Sequence, residues 1–477
     1  MNLLWTSEAL VSAMEGRPLG PLPEGVSGIS IDTRTLQPGD AFFAIKGEAM
    51  DGHDFATAAM KAGAGLLVVA EAKLPALGRL SSPMIVVPDV LEALEKLGVA
   101  ARARSDARIV AVTGSVGKTS TKEALRCGLS AVGKVHASPM SFNNHWGVPL
   151  TLARMPADCD YAVFEIGMNH ENEIRPLVKM VRPHVAIVTS IAPAHLGHFS
   201  SLDDIARAKA EIFEGVEPGG AALVNRDDPR FKLLDQLARE AGVENVWGYG
   251  ENANSQVRLT NFVLHASHSI LTANVGGQEV AAKIGAPGRH IVQNALALLG
   301  AAQLVGADVT RAALALADLV PDRGRGRRHT LRNPKGTFIL IDESYNANPA
   351  SMQAAMALLE ATPVAPGSRR IAVLGDMLEL GEHSARLHTA LAELITETST
   401  DLVFLAGPEM KALAEILPSD FHAEHRATGD ELKPVLMQAI QPGDVVMVKS
   451  SKSIGFSKLV DALLERFPDA AGNTMQN

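Results

Sequence analysis

The fold is decided by one stretch of sequence, which reads Thr113-Gly114-Ser115-Val116-Gly117-Lys118-Thr119-Ser120. An apolar run typical of a β-strand precedes it, and a helical pattern follows it. Strand, glycine-rich turn, lysine, hydroxyl and helix in this order form a phosphate-binding loop, in which backbone N–H groups and the helix N-terminus face phosphate oxygens. Lys118 would reach the outer phosphates and Thr119 would hold Mg²⁺. The stretch predicts use of a nucleoside triphosphate, although Val112 replaces the first glycine of the usual pattern; the alternative is a structural corner that happens to carry a lysine.

The composition excludes several classes of protein. The chain has 477 residues, 47% of them hydrophobic and 20% charged, which predicts a globular protein of two to four domains. A net charge of −9 argues against a general nucleic-acid binder. Two cysteines in unrelated contexts make neither a disulfide framework nor a zinc site, which fits a reducing compartment. With no apolar run long enough to span a bilayer and no signal-peptide core, we expect a cytoplasmic protein without a transmembrane segment.

Alternating strand and helix patterns predict three α/β blocks. The first, residues 1–105, is small, and the third, residues 326–477, reads as a doubly wound unit. The second, residues 106–325, predicts a parallel sheet, with two period-two runs between residues 256 and 284 that predict an antiparallel insertion. The basic, glycine-rich run Pro321–His329 would mark the second boundary. In such sheets ligands collect beyond the carboxyl ends of the strands.

Polar residues follow the predicted strands of the central block. Glu165 ends one strand and is a natural Mg²⁺ ligand, the alternative being a capping or solvated glutamate. His195 and His198 lie in a later strand-end loop and could bind metal or phosphate, or be structural. Lys209 lies in a helical pattern whose spacing predicts an exposed, charge-paired face.

Three loops of the last block carry similar signals. Asp342 begins a loop of acids, amides and a tyrosine that ends at Pro349, which suggests a ligand site or else a capped loop without a ligand. Asp376 follows the next predicted strand. The segment Lys449–Ser453 combines cations with hydroxyls, which suits a carboxylate or phosphate.

Taken together, these motifs strongly resemble the Mur ligase family of peptidoglycan synthesis, over essentially the whole chain. The loop without its first glycine is a family trait. More specific are six segments: Asn143-Asn144 with Gly147–Thr151, Glu165–His170, Ala194-His195-Leu196 with Phe199, Ala208–Phe213, Gly288–His290 with Asn294, and Asp342–Pro349. The sequence Ser344-Tyr-Asn-Ala-Asn348 resembles the branch of the family that adds D-alanyl-D-alanine.

The resemblance implies a fold, ligands and roles. The fold would be a small N-terminal α/β UDP-binding domain, a central phosphate-loop ATPase domain with an antiparallel insertion, and a C-terminal Rossmann-like α/β domain. The substrates would be ATP, UDP-N-acetylmuramoyl-tripeptide and D-alanyl-D-alanine. The enzyme would be a monomer that uses Mg²⁺ and joins the dipeptide to the tripeptide through an acyl phosphate. Lys209 would be carbamylated and, with His195, would associate with metal beside Lys118, while Thr119 and Glu165 hold one Mg²⁺.

The remaining implied contacts fall into three groups. Nucleotide contacts beyond the loop residues 114–120 would be Asn294, Arg325 and Asp342. The UDP-sugar peptide would meet Ser30, Asp32, Arg34, Lys46, Asn143 and Asn144. The dipeptide would meet Asn346, Asn348, Asp376, Lys449, Ser450 and Ser451.

The chain departs from the family pattern at one place, and three other classes of protein are alternatives. Many family members have Gly-Asn where this chain has Met140-Ser141. Folylpolyglutamate synthetase shares the loop but lacks a UDP-sugar domain before it, whereas about 100 residues precede the loop here. A tripeptide-forming Mur ligase would carry different residues at 342–349. A regulatory GTPase-like module would need an Asn-Lys-x-Asp guanine motif, which the sequence lacks.

Overall fold

The central sheet is built around the strand that leads into the phosphate loop. The computed structural model describes residues 3–78, 82–193 and 197–470. Over that part of the chain, nine strands form this sheet, and Arg108–Thr113 lies between Val185–Val188 and Tyr161–Glu165, parallel to both. Its side chains alternate between two apolar cores, with Ile109 on one face and Val110 on the other. Burial on both faces is what a parallel sheet covered by helices requires.

The elements of the central part are as follows. Its strands in chain order are Arg108–Thr113, Val135–Ala137, Tyr161–Glu165, Val185–Val188, Ala221–Asn225, Asn245–Gly250, Val257–Leu264, Ser269–Val275 and Gln278–Ile284. Its helices are Lys118–Ser130, Gly147–Ala153, Ile174–Val181, Leu202–Ala210, Phe231–Glu240, Arg289–Leu304 and Val309–Ala315. The predicted antiparallel insertion is a three-stranded extension of the same sheet, because Val257–Leu264 pairs in parallel with Asn245–Gly250 and antiparallel with Ser269–Val275. Gln278–Ile284 adds a third strand.

The N-terminal part carries a five-stranded sheet, which is parallel except for its edge strand Arg17–Leu19. Its strands are Trp5–Thr6, Arg17–Leu19, Gly25–Val26, Ile29–Ser30, Ala41–Phe43, Leu66–Ala70 and Met84–Val87, where Trp5–Thr6 and Gly25–Val26 pair only with each other. Its helices are Ser7–Met14, Ala56–Lys61, Leu74–Leu77 and Val90–Ala103. The sequence pattern over residues 54–62 predicts one helix, and the structure has a 3-10 turn, Gly52–Phe55, followed by the helix Ala56–Lys61.

The N-terminal and central parts share one hydrophobic core. Leu94 and Leu97 of the helix Val90–Ala103 belong to the same buried cluster as Val148 and Leu150 of the central part. Nearby, the Trp5 indole donates a hydrogen bond of 2.8 Å to the Ala153 carbonyl. These two parts are therefore packed as firmly as the layers of a single domain.

The C-terminal part has its own six-stranded sheet, in which only the edge strand Arg327–Asn333 is antiparallel. Its other strands are Gly336–Glu343, Arg370–Gly375, Leu402–Ala406, Glu424–Arg426 and Val445–Lys449. Its helices are Pro349–Glu360, Ser384–Thr389, Leu391–Glu397, Met410–Ile416, Gly429–Ala439 and Phe456–Arg466. The sequence pattern over residues 384–396 predicts one helix, and the structure has two, Ser384–Thr389 and Leu391–Glu397. The pattern does not predict Gly429–Ala439, because Pro434, normally a helix breaker, lies inside it.

The described residues also form short 3-10 helices: Gly52–Phe55, Glu71–Lys73, Glu211–Gly215, Leu316–Asp318, Gly381–His383, Ser419–Phe421 and Lys452–Ile454. None of the helices in the described ranges is long and apolar enough to cross a membrane. The predicted α/β class, with three sheets and an antiparallel extension of the central one, is confirmed.

Candidate active site

The phosphate loop takes the conformation that its glycines permit. Gly114 and Gly117 have φ of +151° and +87°, values that other residues rarely adopt. A Cβ at Gly114 would collide with the Thr189 hydroxyl, and one at Gly117 would lie 2.9 Å from Asn294 Oδ1. Gly117 caps the helix Lys118–Ser130, which therefore begins two residues before the helical pattern predicted it. Its N-terminus faces the space above the sheet, where a phosphate would meet the helix dipole.

Lys118 is the cation of this loop. Its Nζ donates a 2.6 Å hydrogen bond to the Gly114 carbonyl, so that the side chain folds back over the loop. Burial lowers the pKa of Lys118, while the nearby Glu165 carboxylate opposes that shift. A lysine in this position is ready to exchange its carbonyl partner for phosphate oxygens.

Thr119 and Glu165 are brought together as the sequence predicted, at the ends of neighbouring elements. Thr119 Oγ1 donates to Glu165 Oε2 over 2.8 Å, and Asn143 Nδ2 donates to Glu165 Oε1 over 2.7 Å. Ser141, for which no role was predicted, has its hydroxyl 3.1 Å from Thr119 Oγ1. This cluster of oxygen atoms has the chemistry that Mg²⁺ prefers, with a single carboxylate and room for phosphate oxygens.

A cavity of about 720 Å³ joins the phosphate loop to the C-terminal sheet. Residues 115–120, Asn143, Asn144 and Glu165 line it from the central part, and Asn346, Asn348, Lys449 and Ser451 line it from the other side. Its size is that of a ligand pocket, and its position matches the carboxyl ends of both sheets. Sequence reasoning missed several of its lining residues, namely Ser141, Thr189, Ser190, Tyr249 and Gln293. Glu343, Tyr345 and Lys452 also line it and lie in the loops that the sequence singled out.

Asn294 and Arg325 lie on the wall of this cavity. Asn294 Oδ1 accepts a 3.1 Å hydrogen bond from Thr121 Oγ1, whereas its buried Nδ2 has no partner among the residues described. The Arg325 guanidinium stacks 4.0 Å above the Tyr345 ring and donates to Ser141 Oγ over 3.2 Å. Both side chains therefore present unused donors where a nucleotide could accept them.

The structure separates the two adjacent acids that end the strand Gly336–Glu343. Asp342 is fully buried, and its oxygens accept hydrogen bonds from Gly324 N at 2.8 Å and from the Ser344 hydroxyl at 2.6 Å. Glu343 instead lines the cavity and accepts from Lys449 Nζ at 3.3 Å. Side chains alternate along a strand, so only one of two neighbours can face the cavity, and here that residue is Glu343.

Of the residues predicted to bind the dipeptide, some line the cavity and others lie behind its wall. Asn346 and Ser451 line the cavity, and Lys449 joins them with its Nζ 2.9 Å from the Asn346 carbonyl oxygen. Asn348 also lines it, but its Oδ1 caps the helix Pro349–Glu360 by accepting from the Ser351 N–H.

Two of those residues lie behind the cavity wall. Ser450 is fully buried and its hydroxyl donates to the Ser451 carbonyl. Asp376 is also buried, and it accepts from the Met410 N–H at 2.9 Å, at the start of the helix Met410–Ile416. Burial raises the pKa of the Asp376 carboxyl. Neither side chain reaches the cavity surface.

The position of Lys209 contradicts the prediction, from helical spacing, that it lies on an exposed helix face. Its side chain is only 1% exposed, because tertiary packing buries the side of the helix Leu202–Ala210 on which it lies. Burial, with repulsion from the Lys118 cation, lowers the pKa of Lys209 well below its usual value. His195 lies outside the described residues; His198, near it in sequence, packs its ring 4.4 Å from that of His170.

The four predicted N-terminal residues lie away from this cavity. Ser30 Oγ donates to the Asp32 carbonyl at 3.0 Å, and Asp32 forms an ion pair of 2.6 Å with Arg34. The hydrogen bonds from Arg34 lower the pKa of Asp32, although burial opposes the shift. Lys46 is exposed. The turn that holds Asp32 and Arg34 leaves the guanidinium largely in solvent, where it could meet an anionic group.

Known proteins match the whole of this architecture. Residues 25–122 match the description "Mur ligase family, catalytic domain", residues 112–302 the "Mur ligase middle domain", and residues 326–452 the "Mur ligase, glutamate ligase domain". The chain is 36% identical to the UDP-N-acetylmuramoyl-tripeptide--D-alanyl-D-alanine ligase of Escherichia coli, over 92% of this chain and 94% of that protein.

Two solved structures agree. MurF from Acinetobacter baumannii superposes with a TM-score of 0.83 and 30% identity, covering 97% of this chain and 99% of that one. The MurF ligase from Thermotoga maritima in complex with ADP superposes with a TM-score of 0.75 and 26% identity, covering 92% and 97%. The chain belongs to the Mur ligase family.

Proposed function

We infer that this chain is an ATP-dependent ligase that joins D-alanyl-D-alanine to UDP-N-acetylmuramoyl-tripeptide, giving the pentapeptide, ADP and phosphate. The observation that carries this function is the single cavity in which the phosphate loop, the Thr119–Glu165 pair and the polar loops of the C-terminal sheet meet. A reaction that transfers phosphate and then forms an amide needs these groups around one space. Sequence identity to a ligase of this name supplies the substrates.

The nucleotide would occupy the part of the cavity above residues 114–120. Lys118 and the loop N–H groups would hold the phosphates. The unpartnered Nδ2 of Asn294 and the remaining donors of Arg325 would contact adenine or ribose. Because Asp342 is fully buried and accepts its hydrogen bonds from Gly324 and Ser344, we assign the acidic contact with the nucleotide to Glu343 instead, which lines the cavity.

Mg²⁺ fits the cluster around Thr119. One carboxylate, one hydroxyl and phosphate oxygens form the donor set that this ion accepts, and Asn143 fixes the carboxylate orientation from behind. The bound ion would neutralise charge on the transferring phosphoryl group. His195 is proposed as a ligand of a second Mg²⁺ from the family resemblance alone.

Lys209 is proposed to carry a carbamate. CO₂ reacts with a neutral amine, and burial beside Lys118 lowers the pKa of Lys209, which favours that form. The adduct would place an anion next to the Lys118 cation. This would explain why an otherwise costly buried lysine lies close to the phosphate loop.

The chemical steps follow from these placements. The terminal carboxylate of the tripeptide attacks the γ-phosphorus of ATP, the bond to the β–γ bridging oxygen breaks, and an acyl phosphate and ADP form. Lys118 reduces the repulsion between the two anions. The neutral amine of D-alanyl-D-alanine then attacks the acyl carbon, and the intermediate loses phosphate and a proton to leave the amide. Enclosure between the central and C-terminal sheets would keep water from the acyl phosphate.

The two peptide substrates would approach from opposite sides. Asn346, Lys449 and Ser451 would receive the dipeptide, whose carboxylate suits the Lys449 ammonium, while Asn348, Ser450 and Asp376 shape their loops. The UDP-sugar would lie along Ser30, Asp32, Arg34 and Lys46, with Asn143 and Asn144 near its peptide end. We also propose domain bounds of 1–105, 106–325 and 326–477, a monomer, and action in the cytoplasm.

The experiment is phosphate release from ATP and Mg²⁺ by the purified protein, with the UDP-muramoyl tripeptide and the dipeptide supplied together and separately. We expect release only with both, and a UDP-muramoyl pentapeptide by mass spectrometry. Release with a single amino acid and a shorter UDP-muramoyl peptide would assign a neighbouring reaction of the family. Absence of release with every muramoyl acceptor would refute the proposal.

A further inference from the structure

Ser141 lies where many family members carry asparagine, and it bridges two parts of the site. Its Oγ is 3.1 Å from Thr119 Oγ1 and 3.2 Å from Arg325 Nη2. Thr119 lies in the first turn of the helix Lys118–Ser130, whereas Arg325 belongs to the segment that leads into the C-terminal sheet. A single hydroxyl therefore connects the metal-binding cluster to the connection between two sheets.

The direction of every hydrogen bond in this connection is fixed by chemistry. A guanidinium only donates, so Ser141 accepts from Arg325. A carboxylate only accepts, so the Thr119 hydroxyl gives its proton to Glu165. The proton of Ser141 must then go to Thr119 Oγ1. The result is a directed chain, Arg325 to Ser141 to Thr119 to Glu165, that runs from a permanent cation to an anion and whose members polarise one another.

Lys122 holds Ser141 in position for this chain. Its side chain is fully buried, and its Nζ donates to the carbonyls of Ser138 at 2.8 Å and Met140 at 3.2 Å. Lys122 and Thr119 lie on the same helix, Lys118–Ser130. The backbone that carries Ser141 is therefore anchored to the very element that presents Thr119.

Arg325 is held from the other side by an aromatic ring. Its guanidinium lies 4.0 Å above Tyr345, which follows the C-terminal strand Gly336–Glu343. Stacking fixes the plane of the guanidinium but leaves it free to slide, and the bond to Ser141 supplies the missing restraint. Together the two contacts place Arg325 on the cavity wall beside the phosphate loop.

We propose that Ser141 is a positioning residue that fixes Arg325 against the phosphate loop and so couples nucleotide binding to the contact between the central and C-terminal sheets. This rests on the proposed use of the cavity by a nucleotide. Ser141→Ala removes the link with almost no change in volume. It should weaken ADP binding about three- to tenfold, the usual net effect of losing one intramolecular hydrogen bond.

The test is calorimetric titration of ADP, with EDTA and with Mg²⁺, into four proteins: wild type, Ser141→Ala, Arg325→Ala and the double variant. If Ser141 acts through Arg325, Ser141→Ala weakens ADP binding in the wild type but adds little in the Arg325→Ala background. Ser141→Thr, which retains the hydroxyl, should restore the wild-type affinity. Ser130→Ala, which removes an exposed hydroxyl at the far end of the helix Lys118–Ser130, should leave it unchanged.

Each result distinguishes this inference from the underlying function. If the wild type does not bind ADP, the nucleotide function itself fails. If the wild type binds ADP and Ser141→Ala binds it equally well, the positioning role of Ser141 is wrong. Full additivity of the Ser141→Ala and Arg325→Ala effects, or equal weakening by Ser130→Ala, would reduce Ser141 to a general packing role and overturn the proposal.

Discussion

Replacing Lys209 by methionine should change how the stability of the protein depends on pH. The lysine side chain is 1% exposed, and burial beside Lys118 lowers its pKa well below the usual value of 10.5. Between the lowered pKa and 10.5, the unfolded chain holds a proton on Lys209 that the folded chain does not. The unfolding free energy of the wild type therefore rises with pH in that window, and the penalty disappears only above it.

The size of the effect follows from the one proton that the folded and unfolded chains do not share. Over each pH unit inside this window, the unfolding free energy of the wild type should rise by about 1.4 kcal/mol relative to that of Lys209→Met. Methionine has nearly the same length and no charge, so it should pack in the same space. At the lower end of this window the variant should be the more stable of the two proteins, although it should lack ligase activity.

The assay is urea unfolding followed by tryptophan fluorescence in CO₂-free buffer, at several pH values, for the wild type and the variant. Lys179→Met, which alters an exposed lysine, is the matched control and should run parallel to the wild type. Parallel pH curves for Lys209→Met and the wild type would show that Lys209 keeps its proton when folded. That result would remove the physical basis for a carbamate at this position.

Three further predictions test other contacts. Lys118→Ala should lower the rate of phosphate release with both substrates at least about a hundredfold, because the phosphates lose their cation; near-normal turnover would contradict the loop assignment. Asn143→Ala frees one oxygen of Glu165 and should raise the Mg²⁺ concentration for half-maximal rate about tenfold, measured by Mg²⁺ titration. Trp5→Phe leaves the buried Ala153 carbonyl unpaired and should lower the unfolding free energy by about 1–2 kcal/mol in urea, with an unchanged KM for ATP; no loss of stability would mean that water replaces the indole.

The sequence predicted best what depends on local pattern. The strand before the phosphate loop, the loop itself and the helix after it are contiguous, and the structure places them as their glycines and apolar runs indicated. Glu165 lies beside Thr119 because it ends one strand, and Thr119 comes after the neighbouring strand at the same edge of the sheet. The alternation of strands and helices in the sequence already predicts that these strand ends lie close together.

What escaped prediction depends on tertiary packing. Nothing in the sequence of its helix indicates that Lys209 is buried, because burial depends on the tertiary packing that brings this side chain close to Lys118. The choice between Asp342 and Glu343 rests on strand register, and a shift of one residue exchanges the two faces. Ser141 looked like a loss of a family residue, and only its distances to Thr119 and Arg325 give it a role.

The shared core of the N-terminal and central parts bears on how the chain is made. Trp5 reaches its carbonyl partner across 148 residues of sequence, and the helix Val90–Ala103 buries its apolar face against segments that follow it. At about 5–20 residues per second, a ribosome needs roughly 7–30 s to deliver Ala153 after Trp5. During that interval the emerging N-terminal segment exposes an apolar surface, so its folding waits on translation of the phosphate-loop sheet, and that surface is where a nascent-chain chaperone would bind.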